Sequence, residues 1–199
     1  NRPVKDIVLE KLPATLLLTL TAFVFSIAVG VSLGVAAARR AGSVLDAAIT
    51  AGSLVFFAMP LFWFGLMAII LFSVGLGWLP AYGMSTVGAG LHGWRALLDM
   101  GQHLLMPAAT LGLFYVAVYT RVTRAAAIEV MDQDFVKTAH AKGVSERRIW
   151  RRHILRNAIL PVITFVSLQA GAILGGSVLV ETVFAWPGMG RLAFDSLFQ

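Results

Sequence analysis

The chain has 199 residues, of which 58% are hydrophobic and only 13% are charged, and its mean hydropathy is +0.82. A water-soluble domain does not reach that hydropathy, so the composition predicts a membrane protein. Cysteine is absent, which excludes disulfides and thiolate metal sites. The net charge is +6, and its position along the chain decides what it means.

The first predicted element is a membrane span over residues 14–38, which contain no charged side chain. A hydrocarbon core of about 30 Å takes roughly 20 helical residues, so this stretch is long enough to cross it. Residues 1–13 are too short and too polar to span. Their apolar residues lie near helical spacing, which predicts an interfacial helix that leads into the first span.

The second uncharged stretch, residues 47–79, would form a helix of about 50 Å, which is too long for one straight span. Pro60 offers a kink, either as a static bend or as part of a gate. We therefore predict one bent helix over about 47–76, followed by an interfacial tail. Trp78 and Tyr82 in that tail suit the headgroup level of a bilayer.

A third span is predicted over about 104–124, with its membrane-embedded part ending near residue 120, and a fourth over about 158–180. Two glycine pairs lie in these apolar stretches at a spacing that lets helices approach closely: Gly30 with Gly34, and Gly171 with Gly175. The glycines would pack either against a twin subunit or within the chain. The fold class is thus an all-α polytopic membrane protein with four transmembrane helices, in a single domain over residues 1–199.

Most of the excess positive charge lies in residues 121–156, which carry nine basic and four acidic side chains. The bias of Lys and Arg towards the cytoplasm places this segment and residues 39–46 inside, and residues 80–106 and 181–199 outside. This alternation requires the second span to be single. It also predicts that a helix precedes residue 1.

Within the basic segment, a helix is predicted to end at Gly143, which can take the left-handed conformation of a helix C-terminus. Ser145 can then cap a second helix that runs into the fourth span at Pro161. On this second helix Trp150, Ile154 and Ala158 form an apolar stripe, and arginines face the opposite side. Three interpretations stay open: an anchor for phospholipid headgroups, a DNA-reading helix-turn-helix, and an elbow that docks a soluble protein.

Motifs of an enzyme are not found. The four histidines do not have metal-site spacing, and no phosphate-binding loop of the form G-x-x-x-x-G-K-[ST] occurs. The predicted spans also lack charged residues at their centres, which argues against coupling to protons or sodium. Energy for any transport would therefore come from a partner protein.

Three separated segments resemble motifs of one protein family, the inner-membrane permease subunits of binding-protein-dependent ABC importers, in the peptide and nickel branch. They are PLFWFGLMAIILFSVGLGWLP at 60–80, AHAKGVSERRI with RHILRNAILP at 139–161, and GSVLVETVFAWPGMGRL at 176–192. In the motif shared by all branches, Ala139, Gly143 and Leu155 match. Lys137 stands where that motif has Glu, and Arg156 where it has Pro.

The resemblance implies that residues of about 129–156 form a coupling segment that lies in a cleft of an ATPase subunit. The residues assigned to this contact are Lys137, Thr138, Ala139, Ala141, Gly143, Val144, Ser145 and Glu146. It also implies a helix missing before residue 1 and another missing after residue 199. A gate or a contact with the binding protein is assigned to Pro60, Glu181, Trp186 and Pro187. Glu181 is itself expected to be a solvated loop carboxylate rather than a gate residue.

By the same resemblance, the partners are a second homologous permease, two ATPase subunits, an extracytoplasmic substrate-binding protein and membrane lipid, without nucleic acid. This chain binds no cofactor or metal, and ATP and Mg²⁺ belong to the ATPases. The expected location is the cytoplasmic membrane of a bacterium or archaeon. The expected substrate is a dipeptide or oligopeptide; the alternatives are nickel or glutathione, or a membrane anchor or assembly subunit that does not transport.

Overall fold

The computed structural model describes residues 3–197, and it describes the side chains of all of these except residues 4, 170, 172–174 and 176. This part of the chain is helical and contains no β-strand. Its helices are α1 (Val4–Arg39), α2 (Val44–Ala58), α3 (Leu61–Ala68), α4 (Trp94–Met131), α5 (Asp134–Ala141), α6 (Glu146–Ile149), α7 (Leu155–Val183) and α8 (Met189–Leu197). Two π-helical segments, Ile69–Gly75 and Trp150–Ile154, follow α3 and α6.

The chain divides into two units. Each of the helices α1, α4 and α7 has one part in unit 1 and the other part in unit 2. Unit 1 comprises the residues up to Phe25, Met59–Leu113, and the residues from Gly171 onwards. Unit 2 comprises Ser26–Ala58 and Phe114–Ala170. The predicted coupling segment and the glycine pair Gly30 and Gly34 belong to unit 2.

Helix α1 includes both the predicted first span and the residues expected to form an interfacial helix that leads into it. The described part of 1–13 is helical from Val4 and continues into the first span, and its position at a membrane interface stays a prediction. Residues 1 and 2 of that predicted helix lie outside the described residues. Pro13 lies inside α1, where a proline removes one i→i−4 hydrogen bond.

The chain breaks at Pro60, where a bent but continuous helix was expected. Helix α2 ends at Ala58, and Pro60 has extended backbone angles (φ −60°, ψ 130°) before α3 begins at Leu61. Proline lacks an N–H and disfavours helical angles in the residue before it, so a break is the physical outcome. The predicted interfacial tail follows Gly75, and its Trp78 and Tyr82 are both exposed.

Two helices, Lys5–Arg39 and Trp94–Met131, are long and apolar enough to cross a membrane, and a third span results if the helices on either side of Pro60 count as one. Helix α4 begins ten residues before the predicted third span, because its first turns are polar and fell outside the hydropathy pattern. Helix α7 contains the predicted fourth span, although residues 170, 172–174 and 176 of that span lie outside the described side chains.

The region predicted as an outer loop, 181–199, is largely helical where it is described. Residues 181–183 complete α7, and Met189–Leu197 forms α8. The loop prediction was therefore wrong for these residues, and residues 198 and 199 lie outside the described part. Trp186-Pro187-Gly188 belongs to the short connection between these two helices.

Gly30 and Gly34 pack within the chain, against α4 of unit 2. A Cβ added to Gly30 would lie 2.7 Å from the Tyr119 Cβ, and one added to Gly34 would lie 2.6 Å from the Thr123 Cβ. These glycines therefore serve close helix packing inside unit 2. Gly171 and Gly175 have no atom within 4 Å of an added Cβ in the described chain, so their side of α7 is open.

Candidate functional site

The predicted elbow is closed by backbone hydrogen bonds at the end of α5. The Gly143 N–H donates to the His140 carbonyl at 2.9 Å, and the Val144 N–H donates to the Ala139 carbonyl at 3.2 Å. Gly143 has φ +71°, so the predicted left-handed conformation is confirmed. This pair of bonds is the Schellman arrangement, which satisfies carbonyls that a helix end otherwise leaves unpaired.

Ser145 occupies the N-cap position of α6, but its hydroxyl makes no capping hydrogen bond. The prediction was right about the position and wrong about the side chain. The Ser145 carbonyl accepts the N–H groups of Arg148 at 2.9 Å and Ile149 at 3.0 Å, as the first helical bonds. Because Ser145 is exposed, water can satisfy the N–H groups that its hydroxyl leaves free.

The inner face of the elbow is an apolar cluster in unit 2 to which five helices and a π-helical segment contribute. Its buried members are Ala38, Ala126, Ala127, Val136, Ala139, Ile149, Trp150, Ile154 and Ala158. The predicted stripe of Trp150, Ile154 and Ala158 is thus confirmed as the buried side. The Arg39 guanidinium lies 5.2 Å from the centre of the Trp150 ring, which adds a cation–π contact between α1 and the elbow.

The outer face of the elbow carries most of the predicted coupling residues. Ala139 is buried in the cluster, and Val144 packs against it. The other six residues are exposed: Lys137, Thr138, Ala141, Gly143, Ser145 and Glu146. Two of the eight predicted coupling residues thus pack in the elbow's apolar cluster, and the other six face solvent.

Phe135 on α5 also belongs to this outer face, although it is not among the predicted coupling residues. It is 44% exposed, although it directly precedes the buried Val136. The signal that could have identified it is helical spacing: with Val136 and Ala139 buried, Phe135 points away from the cluster. An exposed aromatic ring beside charged residues is typical of the centre of a protein interface.

Two ion pairs on the outer face involve predicted coupling residues. Lys137 Nζ lies 3.2 Å from Asp134 Oδ1, and Glu146 Oε1 lies 3.2 Å from His140 Nδ1. Exposed pairs of this kind contribute about 0–1 kcal/mol, so they position side chains more than they stabilise the fold. Beyond them, four arginines and Ser145 line a cavity of about 460 Å³: Arg147, Arg148, Arg151 and Arg152.

A second polar contact in unit 2 joins α2 to α4 and was not predicted. Arg124 donates to both carboxylate oxygens of Asp46, at 2.6 and 2.7 Å, and the Gly42 N–H donates to the same carboxylate at 3.0 Å. These donors hold the pKa of the Asp46 carboxyl well below its usual range. The pair fixes the turn after α1 to the end of the predicted third span.

Glu181, assigned to a gate and expected as a solvated loop carboxylate, is fully buried in the last turns of α7. The solvated-loop expectation was wrong. The Thr15 hydroxyl donates to Oε1 at 2.8 Å, and the Arg191 N–H donates to Oε2 at 3.0 Å. Thr15 in turn accepts the Met189 N–H at 2.8 Å, so this carboxylate ties α1, α7 and α8 together within unit 1.

Trp186 joins the same cluster, whereas Pro60 does not. The Trp186 indole N–H donates to the Ala14 carbonyl at 2.8 Å, and its ring is buried beside the half-buried Pro187. Ala185 completes the turn with φ 49°, a left-handed position more often held by glycine. Among the described residues Pro60 shares no hydrogen bond with this cluster; its carbonyl accepts the Phe64 N–H.

Residues 3–197 contain no group of three or more His, Cys, Asp and Glu side chains that could hold a metal ion. The elbow presents charges, short polar groups and one aromatic ring, supported by a buried cluster. The Glu181 cluster fixes a turn between two helices.

Comparison with known proteins gives consistent results. The family described as "Binding-protein-dependent transport system inner membrane component" matches residues 30–199. The oligopeptide transport system permease protein AppB of Bacillus subtilis (strain 168) is 42% identical over 99% of this chain and 61% of its own length. The di/tripeptide transport system permease protein DppB of Pseudomonas aeruginosa (strain UCBPP-PA14) is 42% identical over 93% of this chain and 59% of its own length.

The chain thus spans about three fifths of the length of these relatives. Among solved structures, a chain of the inward-facing MetNI methionine ABC transporter is similar with a TM-score of 0.72. The match covers 98% of this chain and 82% of that chain at 17% sequence identity, which establishes a shared fold.

Proposed function

Since the chain belongs to the family of inner-membrane components of binding-protein-dependent transport systems, we propose that it is a permease subunit of an ATP-driven importer of dipeptides or oligopeptides. It forms part of the translocation path and hydrolyses nothing itself. The names of the two relatives, both peptide permeases at 42% identity, support the substrate class.

The observation that carries this proposal is the elbow at Gly143. Its outer face is exposed and chemically mixed, while its inner face is fixed to α1, α4 and α7 through one buried cluster. A soluble partner that moves the outer face would therefore move the ends of three long helices together. The exposed residues from Lys137 to Glu146, with Phe135, are the proposed contact with an ATPase subunit.

The partners follow from this role. A second homologous permease would complete the path, two ATPase subunits would bind ATP and Mg²⁺, and an extracytoplasmic binding protein would deliver the peptide. The proposed location is the cytoplasmic membrane of a bacterium or archaeon, with several spans in contact with lipid. The +6 net charge, concentrated in residues 121–156, supports an inner-leaflet position for the elbow.

The outer end of the path is a further part of the proposal. Pro60 lies exposed at a helix break, which suits a hinge. Glu181 and Trp186 are buried, so they would act by fixing the turn that carries Pro187 towards the binding protein. They would not contact that protein themselves.

The elbow is tested by Gly143→Val in the complete transporter. No atom lies within 4 Å of a Cβ added at Gly143, so the substitution acts through backbone conformation alone. A β-branched residue at φ +71° costs about 1–2 kcal/mol, which favours opening of the turn. We expect the variant to insert and to copurify with its partner permease, but to lose ATPase stimulation by loaded binding protein.

Gly143→Asn is the matched control, because Asn tolerates the left-handed conformation and should retain most of the stimulation. Normal coupling by Gly143→Val would contradict the role of the elbow. Substrate class is tested separately, by uptake of dipeptides, oligopeptides, glutathione and Ni²⁺ into proteoliposomes. A chain that copurifies with ATPases but supports no uptake would be a membrane anchor instead.

A further inference from the structure

A cavity of about 630 Å³ lies within unit 2, and its lining includes none of the residues assigned to the elbow contact. Its walls come from α2, α4 and α7. The aromatic part consists of Phe57, Phe114 and Phe165, and the polar part includes Arg121 and Gln169. Binding pockets for small molecules have about 300–1,000 Å³, are mostly apolar and carry a few placed polar groups, so this cavity has the size and lining of a ligand site.

The two arginines that line the cavity differ in whether a carboxylate of the described chain neutralises their charge. Arg124 is committed to Asp46 by two hydrogen bonds of 2.6 and 2.7 Å. Within residues 3–197, by contrast, no carboxylate lies within ion-pair distance of Arg121. The cavity therefore carries one positive charge without a counter-ion from the described chain.

Arg121 makes a cation–π contact in this cavity. Its guanidinium carbon lies 5.5 Å from the centre of the Phe57 ring, and that ring stacks on Phe114 at 5.5 Å. The N–H edge of a guanidinium matches a carboxylate with two parallel hydrogen bonds. The contact with Phe57 thus places Arg121 at the cavity by an interaction other than an ion pair.

We infer that this cavity holds the C-terminal carboxylate of a short peptide in transit, with Arg121 as the carboxylate-binding residue. The phenyl rings of Phe57, Phe114 and Phe165 would accept apolar side chains of varied shape. The Gln169 amide can both donate to and accept from a peptide group. A protein that carries varied peptides needs both a carboxylate-binding residue and an adaptable apolar surface. The C-terminal carboxylate is common to all peptides, whereas their side chains differ.

The inference rests on the proposed peptide-import function, and direct binding separates the two. The complete transporter, held in nanodiscs without ATP and without binding protein, is titrated with radiolabelled Ala-Phe and with its C-terminal amide. We expect the wild type to bind the acid about tenfold more tightly than the amide, as one charge-assisted bidentate contact provides. Arg121→Gln should bind both forms equally and weakly.

Arg121→Lys keeps the charge but cannot form the bidentate contact, so it should show a smaller preference for the acid over the amide. It takes the place of Arg121→Gln if the Gln variant does not assemble. Arg95→Gln, at an exposed arginine of α4 in unit 1, is the matched control and should behave as the wild type. Equal binding of acid and amide by the wild type, or no saturable binding, would overturn the inference. So would an unchanged preference in Arg121→Gln.

Peptide uptake into proteoliposomes, measured with binding protein present, then distinguishes a failure of the proposed function from a failure of the carboxylate site. If the wild type imports no peptide, the proposed function fails. If the wild type imports peptide and Arg121→Gln imports the same amount for each ATP hydrolysed, only the carboxylate site fails. The expected result is at least a tenfold loss of import per ATP in Arg121→Gln, with ATPase stimulation retained because the elbow is unchanged.

Discussion

At the scale of single residues, Glu181 shows how a buried carboxylate can be structural. Both of its oxygens accept hydrogen bonds, and Gly188 and Gly190 lie so close to it that an added Cβ would collide with the carboxylate or approach it to 2.9 Å. Those two glycines are therefore required by a close approach and not by turn geometry. The carboxylate acts as a fixed acceptor around which the turn before α8 folds.

We predict that Glu181→Ala lowers the free energy of unfolding by about 3 kcal/mol, because it leaves buried donors without an acceptor and opens a cavity. Glu181→Gln has the same shape and can still accept the Arg191 N–H, so it should cost at least about 1 kcal/mol less. Thermal unfolding of the purified full chain in detergent measures both. Equal losses in the two variants would contradict the roles of side-chain shape and of the remaining acceptor, and would leave the charge or the second acceptor oxygen as what the site needs.

Sequence reasoning identified residues whose roles are local and missed those whose partners are distant in the chain. Gly143 could be predicted because its turn involves only its immediate neighbours. The Glu181 contact with Thr15 joins positions 166 residues apart, and the Asp46 contact with Arg124 joins positions 78 apart. No composition or spacing rule encodes such pairs in one sequence, so their burial had to come from the structure.

At the scale of helices, packing between α1 and α4 in unit 2 depends on glycine. A methyl group at Gly34 would lie 2.6 Å from the Thr123 Cβ and 2.7 Å from the Thr120 carbonyl oxygen. The second of these is a backbone atom, which cannot turn away. The two helices approach each other as closely as their backbones allow, and the predicted twin-subunit role for this glycine pair is not needed to explain it.

Gly34→Ala and Gly52→Ala are expected to change stability in opposite directions. At Gly34 the methyl group should cost about 1–3 kcal/mol through overpacking. Gly52 lies in α2 with no atom within 4 Å of an added Cβ, so alanine there should gain up to about 1 kcal/mol in helix propensity. The midpoint of thermal unfolding of the two variants, each compared with the wild type, measures the signs. A destabilising Gly52→Ala would indicate a neighbour from another subunit.

Helix existence was predictable from hydropathy, but helix ends were not. The predicted apolar stretches lie within α1, α4 and α7, and their hydrophobicity is a property of composition. The ends depend on polar turns, such as the first turns of α4, which hydropathy does not identify. They also depend on prolines, because a helix continues through some prolines and ends at others. Pro13, Pro107 and Pro161 lie inside helices, whereas the chain breaks at Pro60. The π-helical segments left no recognisable sequence signal.

At the scale of the whole chain, the uneven distribution of charge predicts the orientation of the protein in the membrane. The basic segment at 121–156 should lie in the cytoplasm, and residues 80–106 on the other side. The absence of cysteine makes this simple to test, because a single introduced cysteine is the only thiol in these residues. Ser145 and Ser85 are both exposed and lie in the two regions.

In cells that lack the ATPase subunits, which are proposed to cover Ser145, we expect Ser145→Cys to react with a membrane-impermeant maleimide in inverted vesicles and not in intact spheroplasts. Ser85→Cys should show the reverse pattern. Both are made in a cysteine-free background of the full chain, and each serves as the other's control for reagent access. Labelling of both thiols from one side would contradict the predicted alternation of spans.

The closure of the elbow by its own backbone has a consequence for how such a protein can diverge. The bend at Gly143 is held by main-chain hydrogen bonds and by the buried Val136 and Ala139, while the five exposed residues of the predicted coupling set other than Gly143 add little to folding. Mutations at those five positions can therefore accumulate, and alter the proposed contact with an ATPase, before they endanger the bend itself. Partner choice and foldability are in this way open to selection independently of one another.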